Sequence, residues 1–506
     1  MGDPLELEHM IGYKGEGSNS IQFHPVEKDT LVGYVGRLVL IANVYDKHQQ
    51  EFLHGHNEEV TALCISPSGN LIASGQGSST CVPNSEAMVI VWDWKTRQSI
   101  YRLIELNDGI AFSRNSITHL SFSADEHFLA GCDDQAGNTK LAVWDMESGQ
   151  VANLAKRPPL TFLVWGAVVQ SERRMNRHPS YYFYAGSDSA VHLFKFEFDV
   201  HSMQYTVAAS KMAMPSSGLK RQYFSVGMHG GTKMLVAGSS AGELCVFNTD
   251  SAVFRACIPV SCGGLLSLVS THDEERGQDV VFCGCGDGKL KLLAGQDLDW
   301  EMLAETTLAG QVRSLDLSPD KTLLLAGTSE GNIYLLDAKT LTVVTVGGDD
   351  GRGGRPLSSS HTGSIRCMAY GESNERFVTG SEDGLLREWE LSHCARPAPR
   401  APSSLSWRSH GPRRAPALAP HPAPHRHTHP SLPPARQTRS CTRRRPPPRS
   451  PRTRLRCACS TWGRACSRGG ATASCASTRR ASWSGARRAS RTAAASARWR
   501  GRRRSS

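Results

Sequence analysis

The chain has 506 residues and a formal net charge of +11, but the charge is split. Of its 58 Lys and Arg, 27 fall in residues 395–506, all of them Arg and with no Asp or Glu, so the first 394 residues carry 31 basic against 47 acidic side chains, a net of −16. No apolar run of about 18 residues occurs and the start MGDPLELEHM lacks a basic-then-apolar signal, so a soluble, non-secreted chain with no membrane contact is expected.

In chain order, the short alternating run LELEHMIG within residues 1–17 has no turn and no partner strand of its own. It reads as a strand that closes a sheet built from the other end of the chain, which would remove open edges. Residues 18–346 then repeat a β-unit. The first copy holds IQFHP, TLVGYV and RLVLIANV; the second VTALCISPSG, LIASGQ and VIVWDW; the third ITHLSFSADEHFLAG and KLAVWDM. Later copies include DVVFCGCGDGKLKLL and TLLLAGTSEGNIYLLD. An inner-strand aromatic or aliphatic residue marks each unit, at Ile41, Trp92, Trp144, Phe194, Phe247, Leu293, Leu336 and Trp389, with intervals of 43 to 53 residues. That matches a blade period of about 40–45 residues lengthened by insertions. Glycines such as Gly242, Gly288, Gly331 and Gly384 recur at the hairpin turns. Residues 347–360, GGDDGRGGRPLSSS, read as a flexible linker.

Residues 361–394 open with the clearest copy, HTGSIRCMAYGESNERFVTGSEDGLLREWEL, with three β-runs and no fourth. This copy resembles a WD repeat, one four-stranded blade of a β-propeller, whose His, Ser or Thr, Asp and Trp bond across the blade. The resemblance places these roles on His361, Thr379, Asp383 and Trp389. In the second unit it places them on His56, Ser74 and Trp92, with the turn Asp displaced by the insertion after Gln76. The physical reason is mutual satisfaction, since each unpaired buried polar group would cost about 1–3 kcal/mol. The fold expected is therefore all-β: a seven-bladed WD-repeat β-propeller, with an eighth repeat that would begin a second propeller.

After Ala395 the composition breaks to Arg, Pro, Ala and Ser, with no Ile, Val, Phe, Tyr, Met, Asn or Lys. Such a segment cannot bury a core and is expected to be a disordered basic tail. One reading is an arginine-rich nucleic-acid arm. The preferred one is translation out of frame or through an intron of a G/C-rich gene, because residues with A/T-rich codons vanish together.

Three stretches, LELEHMIGYKG, FLHGHNEEVTALCISPSGNLIASGQ and SGLKRQYFSVGMHGGTKMLVAGSSAGELCVFN, give residues 5–391 a closer resemblance, to the cilia- and flagella-associated protein 52 family. The ASGQ segment is also similar to echinoderm-type microtubule-associated proteins. The resemblance implies two tandem propellers, of which this chain would hold the first and the opening blade of the second. It also implies a place in the axoneme of motile cilia, and binding to tubulin and other axonemal proteins inside doublet microtubules. On an acidic body, docking would need local basic patches, and Arg173, Arg174 and Arg177, with Lys220 and Arg221, are the candidates. A generic WD-repeat adaptor of the cytoplasm is the alternative.

No enzyme is expected. A G-x-S-x-G elbow, an H-E-x-x-H helix and a phosphate-binding Gly loop in suitable context are missing from the sequence, and GCGDG at Gly284 reads as a hairpin turn. No cofactor or metal is expected either. The ten cysteines of the first 394 residues sit in apolar stretches and read as reduced core residues.

Overall fold

The computed structural model describes residues 7–390 apart from 8, 16, 18, 47, 79–85, 106–110, 135–138, 171–177, 214–220, 229–232, 297–298, 346–355 and 372–374. Residues 391–506, including the basic tail and the disorder expected of it, lie outside the described residues.

Every regular element described is a strand, and consecutive strands pair antiparallel into sheets of four. The sheets span 21–53, 60–103, 117–157, 162–211, 223–259, 265–307 and 312–359, and a three-stranded eighth spans 365–390. Burial falls outward within each blade. Second strands such as Leu71–Gln76 and Phe128–Asp133 are almost wholly buried, as expected of runs dominated by small and apolar residues, whereas the fourth strand Gln204–Lys211 alternates and faces water.

The marker residues occupy one register position throughout. Ile41, Trp92, Trp144, Phe194, Phe247, Leu293, Leu336 and Trp389 sit opposite Val32, Ile72, Leu129, Phe183, Leu235, Val281, Leu324 and Phe377. They belong to the third strand of each sheet, not to an innermost strand. Gly242, Gly288, Gly331 and Gly384 all have φ between +73° and +82°, so the turn before the third strand is built on a left-handed residue.

Seven blades close the ring. An apolar cluster fills each seam between neighbouring blades, and the last one joins Leu325, Leu335 and Leu357 of blade seven to Ile21, Phe23 and Leu31 of blade one. Hydroxyl groups on the first strands add a repeated link. Thr61 donates to the Ile117 carbonyl at 2.6 Å, Ser225 to Leu265 at 3.0 Å, Ser267 to Val312 at 3.1 Å, and Ser314 of blade seven to Ile21 of blade one at 3.2 Å. The closing bond is of the same kind as those between sequence neighbours, so no eighth blade intervenes.

Two boundary expectations change. Residues 9–14 form no strand; instead Tyr13 is buried at the closing seam, where its hydroxyl accepts a hydrogen bond from Ser20 at 3.0 Å. Gly327 leaves room for that ring, since a Cβ there would lie 2.0 Å from the Tyr13 hydroxyl oxygen. The strand that finishes blade seven is Ser358–Ser359, paired with Asn332 and Ile333, so the end of the expected linker is part of the sheet. A local strand satisfies the Asn332–Asp337 edge and leaves the N-terminal run nothing to pair with.

The eighth blade stands outside this ring. All six residues of its first strand, Ile365–Tyr370, are exposed, whereas the corresponding Val60–Ile65 of blade two is mostly buried.

Candidate functional site

The cross-blade polar set forms in the eighth blade. The Trp389 indole N–H donates to Thr379 Oγ1 at 2.6 Å, the threonine hydroxyl lies 2.8 Å from His361 Nε2, and His361 Nδ1 lies 2.9 Å from Asp383 Oδ2. A consistent proton order follows: the hydroxyl, already an acceptor from Trp389, donates to Nε2, and Nδ1–H donates to the carboxylate. Burial would raise the Asp383 carboxyl, but the Leu385 N–H, His361 and the Thr362 N–H outweigh it and hold the group down at about 2.

Blade two builds the same chain with a different last member. Trp92 Nε1–H donates to Ser74 Oγ at 2.8 Å, and Ser74 lies 2.6 Å from His56 Nε2. His56 Nδ1 meets Gln76 Oε1 at 2.9 Å, so Gln76 replaces the displaced turn Asp. The Gln76 amide donates to Asn57 Oδ1 at 2.6 Å and to the Glu86 carbonyl at 3.2 Å, which fixes its oxygen toward the imidazole. With a neutral partner and a buried site, His56 stays neutral, its pKa lowered to about 4 chiefly by desolvation. The expectation that only three members survive there is corrected. The signal was in the text: Gln76 lies two residues after Ser74, on the same face of the strand.

Blade three keeps the tryptophan and, in place of the His and Gln, a buried pair in which Ser113 Oγ donates to Asp133 Oδ2 at 2.6 Å. Gly131 occupies the register position of Ser74, and the buried Trp144 Nε1 has no partner. A side chain at Gly131 would strike Leu120 at 2.8 Å and the Trp144 ring at 2.9 Å. In blade four the marker is apolar and packs by stacking, Phe183 on Phe194 at 4.8 Å.

These polar sets hold sheets together; they present no reactive group to a cleft. Of the docking candidates, Arg173, Arg174, Arg177 and Lys220 lie outside the described residues. Arg221 is described and is corrected: its Nε bonds Glu243 Oε2 at 2.5 Å and its side chain is only 11% exposed. The Glu243 hydrogen bond pushes the guanidinium pKa further up, so Arg221 is a structural ion pair and not a free docking cation.

The cysteine reading holds in part. Cys64, Cys132, Cys245, Cys283 and Cys285 are buried and Cys257 is half-buried, but Cys262 and Cys367 are exposed, and all eight are free. Among the described residues, Glu243, Cys245 and Cys257 bring three ligand-type atoms within 4.8 Å of one another, a cluster not seen in the sequence because its members lie on two strands.

The family described as WD domain, G-beta repeat matches residues 47–93, 304–337 and 354–390. Cilia- and flagella-associated protein 52 of Chlamydomonas reinhardtii is 26% identical over 401 residues, covering 78% of this chain and 58% of that protein. The Homo sapiens protein of the same name is 25% identical over 336 residues, covering 65% of this chain and 49% of that protein. WD repeat-containing protein 90 of Homo sapiens is 25% identical over 427 residues, covering 77% of this chain and 22% of that protein. The chain thus spans about half the length of these cilia- and flagella-associated protein 52 relatives. A closed ring of seven such blades and an eighth with the full His361, Thr379, Asp383 and Trp389 set give the chain the WD-repeat β-propeller fold, and its sequence is similar to that of cilia- and flagella-associated protein 52.

Proposed function

We propose that the chain is a non-catalytic scaffold of the ciliary axoneme that binds tubulin on the inner wall of doublet microtubules and so supports ciliary motility. The observation that carries the reading is the match, over 65–78% of the chain, to proteins named for cilia and flagella. The closed ring agrees with it, because blades locked at every seam offer a rigid surface for holding partners. Tubulin's exposed tails are acidic and the body carries a net −16 over residues 1–394, so recognition rests on shape and local contacts instead of long-range attraction.

The test is co-sedimentation of the full chain with microtubules, before and after proteolytic removal of the tubulin tails, across a salt series. Binding by the propeller survives both tail removal and moderate salt. Binding lost under either condition belongs to the arginine-rich tail and sinks the proposal for the body. Tagged protein in ciliated cells gives the second check: an empty cilium with a cytoplasmic signal supports a general WD-repeat adaptor.

A further inference from the structure

Blade five holds two thiols, packed at its seam with blade four, that the polar sets do not employ. Cys245, in the third strand Glu243–Asn248, lies directly opposite Cys257, in the fourth strand Val253–Pro259, with the sulfurs 3.4 Å apart. Opposed residues of an antiparallel ladder keep their Cα atoms about 4.5–5.5 Å apart, inside the range of about 4.4–6.8 Å that a disulfide spans. Cys245 is buried, and Cys257 is partly open to solvent on the outermost strand.

The surroundings favour a thiolate over a cation. The Arg221 guanidinium holds the Glu243 carboxylate at 2.5 Å, so the carboxylate of this cluster is already engaged and a positive charge stands beside it. The hydrogen bond from Cys245 lowers the Cys257 thiol below its ordinary value against burial and the Glu243 carboxylate, which raise it, with Arg221 partly offsetting the carboxylate, while the Cys245 thiol is pushed up. An accessible low-pKa thiol with a second thiol in contact is the arrangement of an attacking and a resolving cysteine.

We propose that Cys245 and Cys257 are a reversible redox pair, oxidised by peroxide to a disulfide that staples the outer strand of blade five to its neighbour. The Cys257 thiolate attacks one peroxide oxygen; the O–O bond breaks, and hydroxide leaves and is protonated to water, which leaves a sulfenic acid on Cys257. The Cys245 sulfur then attacks the sulfenic sulfur; the S–O bond breaks, and hydroxide leaves as water with the Cys245 proton. Two thiols lose two electrons and two protons, and one hydrogen peroxide becomes two waters. A dithiol reductant reverses the step by thiol–disulfide exchange.

The test uses the full chain carrying Cys262→Ser, an exposed position, because Cys262 shares a tryptic peptide with Cys257. After brief treatment with hydrogen peroxide and alkylation of remaining thiols, the expected product is peptide 234–255 joined to peptide 256–276, about two mass units below the reduced pair and separated by dithiothreitol. It is expected to form before the exposed Cys367 is oxidised. With Cys245→Ser, Cys257 is expected to stop at a sulfenic acid that dimedone labels. The proposal is overturned if the joined peptide does not form, if it forms only after Cys367 is consumed, or if Cys257 advances to the sulfinic acid while Cys245 stays reduced.

Discussion

Asp316 sits where blade seven meets blade one, and replacing it with Asn should stabilise the ring at alkaline pH but not at acidic pH. Its carboxylate accepts the Phe23 N–H across the seam at 2.6 Å and the Leu317 N–H at 3.0 Å. Desolvation nevertheless pushes its pKa up from 3.8 to about 7 against those two donors. A folded pKa above the unfolded one means that, between about pH 4 and 7, the folded chain keeps a proton that the unfolded chain has released. Stability therefore falls as pH rises through that window and levels off above it. A rise from 3.8 to about 7 would be worth roughly 4 kcal/mol if nothing screened it. The residue is only half-buried, on the first strand of blade seven, so water screens part of that cost. We expect Asp316→Asn to gain about 1–2 kcal/mol over the native chain at pH 8 and nothing at pH 4.5, read as the difference in urea midpoints. The amide oxygen can still accept from Phe23. A substitution that destabilises equally at both pH values would refute the reasoning, because it would mean the carboxylate is ionised without penalty and valued only as an acceptor.

Other substitutions separate the polar sets from packing. Gln76→Ala leaves the His56 Nδ1–H and the Asn57 side-chain Oδ1 without their partner and should cost about 1–3 kcal/mol in chemical denaturation. Trp92→Phe should cost roughly 1 kcal/mol more than Trp144→Phe, since only Trp92 gives up an indole hydrogen bond; equal costs would show the Ser74 bond to be worthless. Gly327→Ala drives a methyl into the Tyr13 hydroxyl and should lower the melting temperature more than Tyr13→Phe, which loses the hydroxyl's bonds to Ser20 and Ser314, about 1 kcal/mol each. Arg221→Gln strands the Glu243 carboxylate, and the loss should shrink as pH falls and the carboxylate protonates. A loss that does not change with pH would count against the ion pair.

Much of the fold could be read from the residues, because blade period and turn glycines are properties of one chain segment at a time. The Trp389 position and its seven counterparts are spaced by the sheet itself, and the His361 set lies within a single blade. What stayed hidden depends on pairs far apart in sequence. Ser225, Ser267 and Ser314 look like any strand serines until the next blade's carbonyl is beside them. The LELEHMIG run has strand-like alternation, but Ser358–Ser359 already occupies the edge it would need. Arg221 reads as a loop cation, and Glu243, the partner that absorbs its charge, lies 22 residues away.

How the ring closes has a mechanical corollary. Each of the seven blades draws all four strands from contiguous sequence, and among the described residues no strand is exchanged between the two ends of the ring, so the joint between blades one and seven is not sewn shut by a shared sheet. It also lacks a covalent connection, which every other joint has. Under tension or partial denaturation the circle should part there first, opening like a split washer while the individual sheets remain intact.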